Sequence, residues 1–281
     1  MTDIQSSLSE ACKKLTEVSD SAELDAEVLL CHILNKPRSH LRAWPEKQLQ
    51  AEQLEQFFQL IRQRRQGTPI AYLTGNREFW SRDFKVTPAV LIPRPDTELI
   101  IELSLDLLHS ISNPRIIDLG TGSGIIAITL AAERADLDVI ATDFSLDALA
   151  IAKQNALNHQ IQNIEFIHSC WFNDVPPAKF DLVISNPPYI AANDPHLSEG
   201  DVRFEPSSAL IAEDQGLKDI RTITENARRY LNKNASLLIE HGYDQPTEVQ
   251  AIFKAFNYIN IKTHQDLSAN PRVTTAQWNA E

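Results

Sequence analysis

Apolar residues in the first seventy positions recur at helical spacing. Leu8, Ala11, Cys12 and Leu15 form one stripe, and Leu24, Val28, Leu29 and Ile33 a second. A third runs through Leu54, Phe57, Phe58 and Ile61. Ser21 and Asp25 give start signals near the second helix, Pro37 limits its end, and Gly67 and Pro69 break the pattern after the third. The rhythm changes after Gly75. Glu78-Phe-Trp-Ser81 and Asp83-Phe-Lys-Val86 read as two short strands around a turn, a hairpin linker. Asp96 is placed to cap a helix over residues 97–109, with Glu98 in its favourable first turn.

Between residues 115 and 242 the pattern alternates strand and helix. It predicts strands at Arg115–Leu119, Asp138–Thr142, Ile164–His168, Phe180–Ser185 and Ser236–Glu240, with helices near 124–134, 146–158 and 216–231. A helix near Pro246–Phe256 then precedes Tyr258–Thr263 and Arg272–Trp278, an expected antiparallel edge pair. Such alternation means an α/β fold with a doubly wound, mostly parallel sheet. The expected division is a helical domain over 1–74, a β-hairpin linker over 75–95 and the sheet domain over 96–281.

Charge narrows the partners. The 281-residue chain has a net charge of −12, but residues 1–85 hold 12 Lys/Arg against 12 Asp/Glu. The remainder holds 14 against 26, so the whole excess falls on the sheet half. A nucleic-acid backbone calls for a basic footprint, which this half lacks. A protein substrate fits more easily. The short run Arg62, Arg64, Arg65 reads as a solvated helix end that complements the helix dipole. Cys12, Cys31 and Cys170 are odd in number and widely spaced, which argues for reduced thiols and against a zinc site. The first residues carry no signal-peptide pattern, and no apolar run reaches membrane-spanning length. A cytoplasmic enzyme without a metal is the expectation.

Two stretches carry the chemistry. In Ile116-Ile-Asp-Leu-Gly-Thr-Gly-Ser-Gly124, glycines at 120, 122 and 124 let the backbone turn tightly and approach a ligand. A dinucleotide loop would need glycine at Ile125, and a P-loop would need Gly-Lys-Ser/Thr. Asp143 ends the next strand, where a carboxylate can accept from two ribose hydroxyls. Trp171, just past the third strand, is a candidate to flank an adenine or else a core aromatic. His241 reads as a satisfied strand-end histidine. The second stretch is Phe180-Asp-Leu-Val-Ile-Ser-Asn-Pro-Pro-Tyr-Ile190. Two prolines cannot continue a central strand, so the strand stops and presents Asn186 at its carboxyl edge. The Asn186 side-chain oxygen and the Pro187 carbonyl can together receive both hydrogens of a planar NH2, with Tyr189 packed against the group that carries it.

With these residues the chain resembles the release-factor glutamine methyltransferase (HemK/PrmC) family of class I methyltransferases. The matching text is Thr74-Gly-Asn-Arg-Glu-Phe-Trp80, Phe84 to Glu98, the 118–124 loop, Asn186 to Tyr189, Glu240-His-Gly242 and Arg272-Val-Thr274. The resemblance implies S-adenosylmethionine as cofactor and the Gln of the Gly-Gly-Gln loop of class 1 peptide-chain release factors as acceptor, a modification that bears on translation termination. It implies cofactor contacts at Gly120, Thr121, Gly122, Ser123, Gly124, Asp143, Trp171 and Asn186. It places the substrate Gln at Asn186, Pro187, Pro188 and Tyr189, with Asn186, Pro187 and Tyr189 carrying the reaction. Residues 1–74 would recognise the substrate, and the enzyme would act as a monomer without binding nucleic acid. The alternatives are an adenine-N6 nucleic-acid methyltransferase, which shares Asn-Pro-Pro-Tyr and the glycine loop, and the ribosomal-protein glutamine methyltransferase. Two departures stand out. Leu231-Asn-Lys-Asn-Ala-Ser236 lacks the family's Pro-Gly-Gly, and Ala269 sits where family members often carry Gly.

Overall fold

The computed structural model describes residues 2–279. They form two compact units, one holding the chain through Asn76 together with His196–Phe204, the other Arg77–Pro195 and the chain from Glu205 on. Among the described residues no helix is long and apolar enough to cross a membrane.

The first unit is helical: α1 (Ile4–Leu15), α2 (Ala22–Leu34), α3 (Arg38–Ala43), α4 (Ala51–Arg65) and α5 (Ile70–Thr74). The inner members of the three stripes (Ala11, Leu15, Leu29, Phe57 and Ile61) are buried in one core with Ile4 and Leu30. The basic run at the end of α4 is not uniformly solvated, contrary to the sequence expectation. Arg65 is exposed, but Arg64 turns inward, with Nε 2.7 Å from Asp25 Oδ2 and Nη1 3.1 Å from Asp201 Oδ1. Asp25 is buried and also accepts from the hydroxyls of Ser19 and Ser21, at 2.8 and 3.0 Å. Ser21 therefore stands at the start of α2 without capping it, because its hydroxyl is spent on Asp25. A buried carboxylate needs such partners.

β1 (Asn76–Phe79), which belongs to the second unit from Arg77 on, and β2 (Arg82–Lys85) make the hairpin. Its turn is Trp80-Ser81, both at positive φ (52° and 57°), so Trp80 and Ser81 leave the strand the sequence placed them in. Positive φ at both central residues suits a two-residue hairpin turn. Carboxylates hold it: Glu98 accepts the Trp80 N–H at 3.0 Å and Glu78 the Ser81 N–H at 2.6 Å. α6 (Glu98–Leu108) follows a 3-10 turn over Pro95–Thr97. Asp96 does not cap this helix as expected. Its carboxylate lies 3.1 Å from Arg272 Nε, an ion pair that draws it away from the helix amides.

The sheet strands are β3 (Arg115–Leu119), β4 (Asp138–Asp143), β5 (Ile164–His168), β6 (Phe180–Ser185), β9 (Leu231–Glu240), β10 (Tyr258–Gln265) and β11 (Pro271–Trp278). A small parallel pair, β7 (Ile190–Ala191) and β8 (Ile211–Ala212), stands apart. The seven-stranded order is β10-β11-β9-β6-β3-β4-β5, parallel from β5 through β9 and antiparallel at β11 and β10. The expected edge pair is therefore present, with β11 inserted beside β9. Helices α7 (Ile125–Glu133), α8 (Leu146–Asn158), α10 (Lys218–Ala227) and α11 (Pro246–Ala255) provide the crossovers, and α9 (Glu213–Gly216) is a distorted turn with Asp214 and Gln215 left-handed. α10 is shorter than the predicted 216–231, and β9 begins five residues earlier than Ser236. Asn234 (φ 65°), inside the 231–236 departure, and Ala269 (φ 63°) both take left-handed backbone, the region that favours glycine.

Alternation builds two cores. Ile116, Val139, Leu182 and Leu238 face one side with α6, α7 and the hairpin residues Phe79 and Phe84. Ile117, Ile140, Val183 and Leu237 face the other with α10 and α11. Strands buried on both faces read as continuous apolar runs, which is why the sequence located them. The winding reverses at β3, since β4 and β5 extend to one side and β6 lies on the other. A crevice at the carboxyl ends of the strands forms at such a reversal.

Candidate active site

Three loops leave the carboxyl ends of adjacent strands at that reversal. After β3, Gly120, Gly122 and Gly124 all take positive φ (74°, 56° and 84°) and carry the chain into α7. Gly120 and Thr121 donate backbone N–H to the Thr142 carbonyl at 2.9 and 2.8 Å, which lays the loop across the end of β4. A Cβ on Gly120 would sit 3.3 Å from the Trp171 ring, so the glycine keeps a flat cradle beside that indole. Buried Asn155 of α8 fixes the far side, donating to the Ser123 carbonyl at 2.8 Å and to the Lys85 carbonyl at 3.0 Å. Asp118, fully buried beneath the loop, accepts the Thr121 hydroxyl at 2.7 Å, and burial pushes its carboxyl up to about 7.

After β4, Asp143 Oδ2 accepts the Gly122 N–H at 2.9 Å and Oδ1 the Ser145 N–H at 2.8 Å. Each oxygen keeps lone-pair capacity for a further donor. Burial raises its pKa, and these backbone donors oppose the rise. Trp171, at φ 52°, packs against the core and also lines the cavity. Its indole N–H donates to Asp219 Oδ1 at 3.2 Å.

After β6, Asn186 donates its Nδ2 to the Thr97 hydroxyl oxygen at 3.3 Å. That leaves Asn186 Oδ1 and the Pro187 carbonyl without a hydrogen-bond donor among the described residues. The Tyr189 hydroxyl donates to Glu240 Oε1 at 3.3 Å, and its main-chain carbonyl accepts from Gln245 Nε2 at 3.0 Å. Gly216 (φ 87°) lies against that carbonyl so closely that a Cβ would overlap it. The Asn-Pro-Pro-Tyr backbone is thus held from below and beside.

A cleft of roughly 1140 Å³, open mouth included, joins these loops. Gly120, Thr121, Gly122, Ser123, Asp143, Trp171, Asn186 and Pro188 line it. Gly124, Pro187 and Tyr189 do not: Gly124 starts α7 against Ile128 and Ala152, and the Tyr189 ring is turned to Glu240. Sequence reasoning missed the wall made by Val90, Pro93 and Thr97, and the facing Pro206, Ser208 and Ala209. These two segments are pinned together, since buried Glu205 holds Arg94 Nη2 at 2.6 Å and the Ile92 N–H at 3.3 Å. The run of prolines at 88, 93 and 95 was the available signal, because it denies the stretch any regular structure. His241 is buried and satisfied by the Gly242 carbonyl and the Thr274 hydroxyl, both at 2.8 Å, as read from the sequence.

The cleft fits an elongated nucleoside-bearing ligand: a flat cradle at Gly120, an indole face, and a strand-end carboxylate with spare acceptor capacity. Asn186 Oδ1, on the cleft wall, has acceptor capacity for an NH2 hydrogen.

Comparison with known proteins identifies the relatives of this chain. Residues 6–75 match the model of the PrmC N-terminal domain, and residues 98–203 that of the methyltransferase small domain. A release factor glutamine methyltransferase of Aliivibrio fischeri is 49% identical over 278 residues, covering 98% of this chain and 97% of its own. One from Escherichia coli K12 is 45% identical, covering 96% and 97%. The fold matches a Thermus thermophilus 16S rRNA N2 G1207 methyltransferase solved with AdoMet and guanosine, at TM-score 0.53 and 14% identity, over 72% of this chain and 49% of that one.

Proposed function

Since the chain belongs to the release factor glutamine methyltransferase family, we propose that it methylates the side-chain amide nitrogen of the Gln in the Gly-Gly-Gln loop of class 1 peptide-chain release factors. Its cofactor is S-adenosylmethionine. The observation that carries the acceptor reading is the Asn186 carboxamide, whose NH2 is spent on Thr97 while its oxygen and the Pro187 carbonyl stay open.

When bound, S-adenosylmethionine supplies an electrophilic methyl on a sulfonium. The loop from Gly120 to Gly124 and the Trp171 face would shape its seat, and Asp143 would accept its ribose hydroxyls. An amide nitrogen is a poor nucleophile because its lone pair is delocalised into the carbonyl. Asn186 Oδ1 and the Pro187 carbonyl each take one N–H of the substrate Gln and so hold that nitrogen in a single orientation. Alignment supplies most of the rate. The new N–C bond would form as the methyl's bond to sulfur breaks, leaving the neutral thioether, and the nitrogen would then release one proton to solvent; no histidine lines the cleft among the described residues. Pro188 lines the substrate side, and Tyr189 stiffens the motif from beneath.

Asp143→Ala should weaken S-adenosylmethionine binding by about 1–3 kcal/mol, the range for hydrogen bonds to a charged group. Calorimetric titration of the folded variant checks it, and an unchanged affinity removes Asp143 from the ribose.

The helical segment 1–74 recognises the body of the release factor, and the enzyme acts as a cytoplasmic monomer with no nucleic-acid partner. The −12 charge of residues 86–281 supports a protein acceptor. Offered release factor and adenine-containing DNA or RNA together, the enzyme should place labelled methyl on the factor alone. Its KM should vary little between low and moderate salt. Labelling of the nucleic acid instead would favour the adenine-N6 alternative.

A further inference from the structure

Among the described residues that line the cleft, Arg94 is the only lysine or arginine. The acids there already have partners: Asp143 accepts the Gly122 and Ser145 N–H groups, and Asp219 the Trp171 indole. The methyl transfer itself makes no use of the cation.

Arg94 Nη2 lies 2.6 Å from Glu205 Oε2, and the Glu205 side chain is 0% exposed while that of Arg94 is 33% exposed. Glu205 also accepts the Ile92 N–H at 3.3 Å, so the carboxylate is tied to the same segment that carries the arginine. A charge-assisted hydrogen bond to so well buried a carboxylate fixes the guanidinium in place. A guanidinium presents several N–H donors in a rigid fork and accepts nothing. Of the Arg94 nitrogens only Nη2 is engaged among the described residues, which leaves Nε and Nη1 for a second anion.

Place and chemistry name that anion. S-adenosylmethionine has a nucleoside end and an amino-acid end, joined at the sulfonium. Asp143, with lone pairs to spare beside the glycine loop, suits the ribose. The sulfonium methyl must come close to the nitrogen that Asn186 Oδ1 receives, so the amino-acid tail starts beside Asn186. The Thr97 hydroxyl lies 3.3 Å from Asn186 Nδ2, and a single 3-10 turn separates Thr97 from Arg94. The arginine therefore stands on the Asn186 side of the cleft, where only a short carbon chain separates the sulfur from the tail's carboxylate. A carboxylate drawn out of water without donors is costly.

We infer that Arg94 binds the carboxylate of the amino-acid tail of S-adenosylmethionine through Nε and Nη1, with Glu205 the positioning residue that holds the guanidinium for it. The planar fork serves both carboxylates at once. The inference rests on S-adenosylmethionine being the cofactor.

The test needs neither release factor nor turnover. Calorimetry on the full chain compares S-adenosylmethionine with its decarboxylated form, which differs only in lacking that carboxylate. The wild type should prefer S-adenosylmethionine by on the order of tenfold to a hundredfold, the worth of hydrogen bonds between charged groups. In Arg94→Gln the preference should shrink to a few-fold or less, with affinity for the decarboxylated form nearly unchanged. Glutamine can still donate to Glu205 but brings no charge to the tail. Arg94→Met combined with Glu205→Gln should lose the preference in the same way. That pair also removes the Glu205 charge, so repulsion by an unpaired carboxylate is not the cause, and the new amide can still accept the Ile92 N–H. A purely structural role would lower both affinities together and leave their ratio alone. Denaturant midpoints show which variants fold, and if one does not, the other decides. A preference that survives in a folded variant, or its absence in the wild type, would overturn the proposal. A wild type that binds neither compound would overturn the cofactor reading beneath it instead.

Discussion

Asn186→Ala should reduce turnover on release factor at least about a hundredfold, since misplacing a reacting group by an ångström already costs that much. The substitution deletes one of the two acceptors for the substrate NH2 and leaves the other, the Pro187 carbonyl, on a backbone that Gln245 still holds. The nitrogen can then rotate about its one remaining hydrogen bond, and the aligned fraction falls. The glycine loop and Asp143 do not depend on this side chain, because their hydrogen bonds are to Thr142, Gly122 and Ser145. S-adenosylmethionine affinity should therefore stay within a few-fold by calorimetry while kcat collapses, the mark of an interaction used in the transition state. Affinity lost in step with rate would move Asn186 to the cofactor side.

The second large effect lies in the helical unit. Arg64→Ala should destabilise that unit by about 3–5 kcal/mol, the cost of stranding one member of a buried ion pair. Arg64 and Asp25 side chains are only 14% and 7% exposed, so water cannot replace the lost guanidinium. Ser19 and Ser21 would remain as the partners of Asp25, two hydroxyls where a full charge stood. Asp201 would lose its partner too, loosening the His196–Phe204 segment within the same unit. Arg65 gives the control. It is 59% exposed and lies 4.0 Å from the exposed Glu17, so Arg65→Ala should change stability by at most about 0.5 kcal/mol. Denaturant unfolding of the two variants checks the contrast, and equal small effects would contradict it.

That contrast also marks the limit of what the chain discloses by itself. The inner strands β3, β4 and β6 were legible because they are buried on both faces and read as apolar runs. The glycine loop, Asp143 and Asn186 were legible because they close successive strands. Arg64 was not, because its partners stand 39 and 137 positions away and a charge run carries no record of them. Asp96 was misread for the same reason: the local rule favoured a cap, and Arg272 from the far end of the chain won. Trp80 gave no turn signal, since no propensity puts a tryptophan at positive φ. Thr97 and Glu240 looked like ordinary helix-start and strand-end residues. Thr97 joins the cleft wall beside Asn186 only once the start of α6 and the end of β6 are brought together.

The account stands or falls on the atom that receives the methyl. Release factor treated with the enzyme and S-adenosylmethionine, then digested and sequenced by tandem mass spectrometry, should carry one added methyl on the side chain of the Gly-Gly-Gln glutamine. A factor with that Gln replaced by Ala should carry none. A methyl on any other residue, or equal labelling of the Ala variant, would contradict the account.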